Sequence, residues 1–358
     1  MKRLVSFFLI ISVLSSMTAC GSGIADFDGT VSTMGMSPAD TVTPPEPPPI
    51  ETFDIKLSFA GDTLLASFKD ETKYYNFNEF ANNNPPTYFL EKVRHVFEDD
   101  DFTVVNLENV FTDRDLVEIE KDYTPAYWYK SRTSNVDILT SSSVEAVSLV
   151  NNHTEDYGPE GFEDTVNTVR DAGLLYGTAD RIMYLEKNGF TVAVICTGLW
   201  SGYQVGYVQS RIEAAEEHSD FQIVFFHGGT ELIHEPEEWK KAACRQLADS
   251  GADLVIGSHP HVLQPMETYN GVDNLYSLGN FCFGDWFRPE NRTVIYQTTL
   301  TVNAEDMTLT ETESEIIPCY VHTGDRNNYQ PAVIEDKDEI EGVMSFMRGE
   351  AESPIGEP

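Results

Sequence analysis

Seven side chains able to bind a metal ion stand where apolar runs of the chain end: Asp62, Glu108, Asn152, His153, His227, His259 and His261. Asp62 closes IKLSFAGD, Glu108 closes FTVVNLE, and Asn152 and His153 close AVSLVNNH. His227 lies in FQIVFFHGG, and His259 and His261 lie in ADLVIGSHPH. Singly, each has a structural explanation. A carboxylate or amide at a strand end caps a turn or a helix, and a lone histidine can be satisfied inside a core. Five strand ends carrying such groups together point to a shared ligand. Carboxylate, amide and imidazole donors without thiolate suit Mn, Fe or Zn. A carboxylate such as Glu108 can bridge two ions about 3.5–4 Å apart, a pair that activates a water and holds the entering and leaving oxygens. In SHPH, alternate residues of an extended segment point to one side, so His259 and His261 are expected to face one cavity, with Pro260 fixing their divergence.

The runs that carry these groups must be strands. IKLSFAGD, FTVVNLE, AVSLVNNH, FTVAVICTG, FQIVFFHGG and ADLVIGSHPH are nearly continuous apolar stretches, as strands covered on both faces are. PEGFEDTVNTVRDAG reads as a helix from Pro159 to Gly173 with Phe162, Val166 and Val169 on its apolar face. EPEEWKKAACRQLADSG reads as a second, with Trp239, Ala242, Ala243 and Leu247 inward. Further on, NLYSLGNFCF, TVIYQTTLTVN and MTLTETESEIIP predict antiparallel strands, and Ile340, Val343, Met344 and Met347 a short helix packed back on the domain. The fold class is α/β, a multilayer α/β sandwich over residues 54–348 with a tail at 349–358. Ligands in open α/β sheets gather beyond the carboxyl ends of the strands, which is where the metal-capable residues fall.

Lys2 and Arg3 precede an apolar stretch from Leu4 to Leu14 that is too short to span a bilayer, so residues 1–19 read as a signal peptide. MTAC, ending at Cys20, resembles a lipoprotein cleavage box, which implies lipidation of Cys20 and anchoring at the extracytoplasmic face of the cell membrane. Residues 20–53, with PPEPPPI, read as an extended tether. Cys196, Cys244, Cys282 and Cys319 lack metal-type spacing, and buried free thiols are the preferred reading over any of their three pairings. The chain has 23 basic and 59 acidic residues, a formal net charge of −36, which repels nucleic acid at long range.

GDTLL, NLENV, NNHTEDYGPEGF, HGGTE, GADLVIGSHPHV and YSLGNF, in this order over about residues 55–318, resemble the motif set of the CapA family. These are bacterial capsule or poly-γ-glutamate synthesis proteins related in fold to calcineurin-like metallophosphoesterases. The resemblance implies Asp62, Glu108 (as bridge), Asn152, His227, His259 and His261 as metal ligands, and His153 as the catalytic histidine that polarises the substrate. It implies two divalent ions, one held by His259, Asn152, His227 and Glu108, the other by His261, Asp62 and Glu108. The second set is poorer because Thr63 and Leu64 stand where phosphoesterases have Asp-x-His. Gly228 stands where a bulkier aromatic is common in the family, and Glu replaces Asp at 108. Glu231 would orient His227 or simply start a helix; Asn280 would bind substrate or shape a turn. The implied partners are an anionic capsule polymer or its synthase and export subunits, and the membrane through the lipid anchor. Lys121, Lys130 and Arg132, in KDYTPAYWYKSR, are the nearest approach to a basic patch for such a polymer, with a solvated loop as the alternative. Three functional readings stay open: a capsule-assembly protein with a hydrolase-like site, an extracellular metallophosphoesterase or wall-polymer hydrolase, and a non-catalytic scaffold for a membrane synthase.

Overall fold

A computed structural model describes residues 51–68, 76–284 and 291–355. The signal peptide, Cys20 and nearly all of the tether lie outside the described residues. In chain order the strands are β1 (Thr52–Leu64), β2 (Phe102–Leu107), β3 (Val110–Phe111), β4 (Lys130–Ser131), β5 (Ala146–Ser148), β6 (Leu175–Gly177), β7 (Met183–Lys187) and β8 (Phe190–Gly198). They continue as β9 (Phe221–His227), β10 (Leu254–Ser258), β11 (Leu263–Tyr269), β12 (Val272–Leu278), β13 (Asn280–Phe283), β14 (Thr293–Asn303), β15 (Leu309–Tyr320) and β16 (Ala332–Val333). The α-helices are α1 (Phe77–Asn83), α2 (Arg94–Phe97), α3 (Asp137–Thr140), α4 (Gly158–Asp171), α5 (Val205–Glu216), α6 (Glu238–Asp249) and α7 (Lys337–Met347).

Two sheets pack face to face. One runs β16-β15-β14-β1-β2-β5-β6, with β13 also paired to β1, and the other runs β11-β12-β10-β9-β8-β7. Ile55, Leu57 and Phe59 of β1 enter the same buried cluster as Val192, Ile223, Phe225 and Ile256 from the second sheet. Phe59 meets Phe225 edge-on at 5.8 Å between ring centres. Helices cover the outer faces. Phe77, Phe97, Leu139 and Val169 pack on the first sheet, while Val208, Ile212, Cys244 and Leu247 pack on the second. Strands with apolar side chains on both faces need cover on both, which is why the runs read as continuous. The expected multilayer α/β sandwich is what the chain forms, and Val343, Phe346 and Met347 of α7 join its central core.

Two expectations change. The segment AVSLVNNH leaves the sheet after Ser148, so Asn152 and His153 sit on a turn beyond the strand rather than at its tip. The late strands are mixed: β14 and β15 are antiparallel, but β12 runs parallel to β10 and β13 parallel to β1. Side-chain pattern sets strand type and leaves direction to connectivity. The four described cysteines are buried and free, as preferred. Among the described residues no helix is long and apolar enough to cross a membrane.

Candidate metal centre

The carboxyl ends of the parallel strands converge. β1 brings Asp62, the residue after β2 is Glu108, β9 ends on His227, and the turn after β10 carries His259 and His261. Asp62, Glu108 and His227 are buried almost completely, and His153, His259 and His261 nearly so. Glu108 is the focus. Its Oε1 lies 3.7 Å from His227 Nε2, 3.9 Å from His261 Nε2 and 4.0 Å from His153 Nε2. Neither Glu108 oxygen has a hydrogen-bond partner among the described residues. Burial above all, with the Asp62 charge beside it, raises the Glu108 pKa well above the carboxylate range.

The imidazoles are held in a network. His227 Nε2 meets Asn152 Oδ1 at 2.9 Å and His259 Nδ1 at 3.0 Å. Its Nδ1 lies 3.0 Å from Ser258 Oγ, and that hydroxyl donates to the Phe226 carbonyl at 3.2 Å. Ser258 Oγ and Asn106 Nδ2 thus occupy the Nδ1 side of the ring, which leaves Nε2 of His227 turned to the cluster. Asp62 accepts from Asn106 Nδ2 at 2.8 Å and from the His259 amide at 3.1 Å, and lies 3.3 Å from His261 Nδ1. Burial pulls the His261 pKa down, but the Glu108 and Asp62 carboxylates outweigh it and carry it up to about 10. Burial, reinforced by the other cations, pulls His227 and His259 far below the ordinary imidazole value.

Two groups of three donors lie mutually within 4.8 Å: Glu108, His259 and His261, and Asp62, Glu108 and His227. Glu108 belongs to both, as a bridging ligand does. The closest contacts pair the imidazoles otherwise, His227 with His259 and Asn152, and His261 with Asp62. Two donors bound to one ion at about 2.0–2.2 Å can stand no more than about 4.4 Å apart. The Glu108 distances meet that limit while exceeding a hydrogen bond. An orphaned, fully buried carboxylate among imidazoles is the donor set of a divalent cation, and the residues fit one.

The SHPH segment is not extended. His259 has φ +99° and His261 φ +59°, both in the left-handed region that a non-glycine residue enters at a cost. The two rings still gather near Glu108, their centres 5.7 Å apart, because two left-handed residues flank Pro260 rather than because strand alternation continues. Asn280 does more than shape a turn: its Oδ1 meets His261 Nδ1 at 2.8 Å. Glu231 lies exposed in a turn, outside any helix. His227 is oriented by Ser258, while the Glu231 charge reaches Glu108 and His261 and raises both. Leu64, where phosphoesterases carry a ligand, is buried against Phe283 and Tyr129.

Several members of the site were not foreseen. Asn106 bridges Asp62 and His227, 2.8 and 3.2 Å away. Its position two residues before Glu108 on one strand face was the available signal. Trp200 stands edge-on to His259 and His227, at 4.9 and 5.7 Å. Asp156 Oδ2 lies 2.8 Å from His153 Nδ1. The three cations of the candidate basic patch each have partners within the chain. Lys121 pairs with buried Asp156, Lys130 lies over the Tyr157 ring, and Arg132 bonds Asn135 and the Ala81 carbonyl.

A family model described as "Bacterial capsule synthesis protein PGA_cap" matches residues 56–285. The chain is 26% identical over 281 residues to a PGA biosynthesis protein CapA of Bacillus subtilis, covering 70% of each. It is 26% identical over 272 residues to a capsule biosynthesis protein CapA of Bacillus anthracis, covering 67% of this chain and 63% of that one. A probable polyglutamine synthesis accessory protein of Mycobacterium tuberculosis is 24% identical over 214 residues, 49% of this chain and 56% of the relative. The crystal structure of a phosphatase from Mycoplasma pneumoniae aligns with a TM-score of 0.43 at 12% identity, over 75% of this chain and 95% of that one, a likeness too distant to carry an assignment.

Proposed function

The chain belongs to the bacterial capsule synthesis protein family PGA_cap, and from that premise we propose a surface-anchored protein of capsule or poly-γ-glutamate assembly that acts through a metal-dependent hydrolase site. The observation that carries the reading is Glu108: buried, with no hydrogen-bond partner among the described residues, and 3.7–4.0 Å from three imidazole nitrogens. Asp62, Glu108, Asn152, His227, His259 and His261 would hold one or two divalent ions. Such ions supply Lewis acidity and a water acidic enough to attack at neutral pH. The remaining work falls to side chains of this chain. His153 turns its Nε2 toward Glu108 and can take up a proton there and pass it on to a leaving oxygen or nitrogen. Trp200 covers the imidazoles on one side and limits water access. The net charge of −36 supports a substrate or product handled with divalent cations rather than by charge attraction alone.

Residues 54–348 would be the working domain, held at the extracytoplasmic face of the cell membrane by a lipid on Cys20 and the tether of residues 20–53. The test uses the chain isolated from its native membrane and loaded with Mn or Zn. It is assayed against γ-glutamyl peptides, muropeptides and phosphodiesters, and its N-terminus is read by mass spectrometry. We expect metal-dependent cleavage of one class, acyl chains on Cys20, and a His153→Ala variant that keeps its metal but loses at least about 10²-fold in turnover. Bound metal with no turnover on any class would contradict the hydrolase and leave a scaffold; an unmodified N-terminus beyond residue 20 would contradict the anchor.

A further inference from the structure

The loop of residues 112–129 joins β3 to β4 and buries a cation beneath the site. Lys121 Nζ lies 2.5 Å from Asp156 Oδ1, and the two side chains are 4% and 0% exposed. The same ammonium donates to the Tyr127 carbonyl at 2.7 Å and lies over the Trp128 and Tyr123 rings at 5.6 and 5.8 Å. Asp156 Oδ2 accepts from the Tyr129 amide at 2.8 Å and faces His153 Nδ1 at 2.8 Å. The Asp156 carbonyl accepts from the Ile119 amide at 2.9 Å, so the loop grips this residue by backbone and side chain alike. A buried ion pair persists only when close geometry and further hydrogen bonds offset desolvation, and here both are present.

We infer that Asp156 and Lys121 are positioning residues for His153. A carboxylate already receiving Lys121 and an amide N–H can only accept from the ring. Nδ1 of His153 must then carry its hydrogen, and Nε2 is the nitrogen left to exchange a proton in the site. Lys121 balances the carboxylate, so a neutral imidazole can sit beside it without leaving a net buried charge. The Tyr129 ring, edge-on at 4.6 Å, fixes the ring plane. The consequence for turnover rests on the hydrolase reading; the geometry of His153 does not.

Side-chain 15N NMR of the full chain, labelled at histidine and free of metal, reads the tautomer directly. The wild type should show His153 protonated at Nδ1. Asp156→Asn, whose amide can donate to the ring, should move the proton to Nε2. In the loaded chain, Lys121→Met should lower kcat on the order of 10²-fold with KM and metal content unchanged, and Lys121→Arg should restore most of it. A wild-type His153 protonated at Nε2, or a tautomer indifferent to Asp156→Asn, overturns the assignment. So does a Lys121→Met loss that appears in KM or in metal content. Should Lys121→Met fail to fold, the isosteric Asp156→Asn still decides. Should no substrate turn over, the hydrolase reading fails and the tautomer alone decides for or against the pair.

Discussion

At the scale of single residues, the site holds protons where a metal would sit. His261 is carried up to about 10 against its own burial by the Glu108 and Asp62 carboxylates, and Glu108 is itself raised well above the usual range, burial being the larger cause. The Glu108 charge that raises His261 is lost when Glu108 is itself protonated, so near neutrality the pair holds a proton between them. A metal ligand must be an imidazole lone pair or a carboxylate, so binding has to expel that proton. Affinity for Mn or Zn should therefore rise between pH 6 and 8, by about tenfold per pH unit for each proton released. Calorimetry in buffers of different ionisation enthalpy counts the protons, and an affinity flat across that range with no proton release would contradict the assignment of His261 and Glu108 as ligands. The left-handed backbone at His259 and His261 belongs to the same scale: strain kept at two adjacent candidate ligands is what a functional site retains.

At the scale of elements, convergence depends on close backbone approach beside the ligands. A Cβ on Gly228, next to His227, would collide with the Leu199 carbonyl, and one on Gly61, next to Asp62, with the Gly279 carbonyl. The bulky family residue is excluded at 228 for that reason. Gly228→Ala should cost about 1–3 kcal/mol, as overpacking does. Gly206→Ala, on α5 with open space around it, should be neutral or stabilising by up to about 1 kcal/mol. Equal denaturation midpoints for the two variants would contradict this picture. The elements themselves were legible where burial repeats in the sequence. Phe190–Gly198 was read to the residue, because both faces of β8 are covered and a run of apolar residues is its direct image. AVSLVNNH was read too long, since the apolar run continues through Leu149 after pairing ends. The candidate ligand types were legible because each closes or follows an apolar run, although Asn152 and His153 lie on a turn beyond β5 and His259 and His261 on the turn after β10. Asn106 and the Lys121–Asp156 pair were harder to see, since Asn106 meets His227 121 positions away and Lys121 meets Asp156 35 positions away; only the contact of Asp156 with His153, three residues before it, is local.

At the scale of the whole molecule, two sheets, each with its own helical cover, bring their carboxyl ends to one place, in a chain that carries 59 acidic residues against 23 basic. On the proposed function, with Lys121, Lys130 and Arg132 each engaged within the chain, contact with an anionic polymer would fall to bound cations and so tie the capsule role to the metal centre. The two proposed ligand sets would be unequal. Leu64, buried against Phe283, stands where a further ligand would serve the Asp62–His261 side, and that ion should bind more weakly. The most direct measurement is a titration of the chelator-treated chain with Mn or Zn, following stoichiometry and affinity in the wild type, His259→Ala, His261→Ala and Glu108→Gln. The account predicts two unequal affinities, the weaker abolished by His261→Ala, the tighter damaged by His259→Ala, and both impaired by Glu108→Gln. Specific binding of neither metal to the folded wild type, or two equal sites untouched by Glu108→Gln, would contradict it.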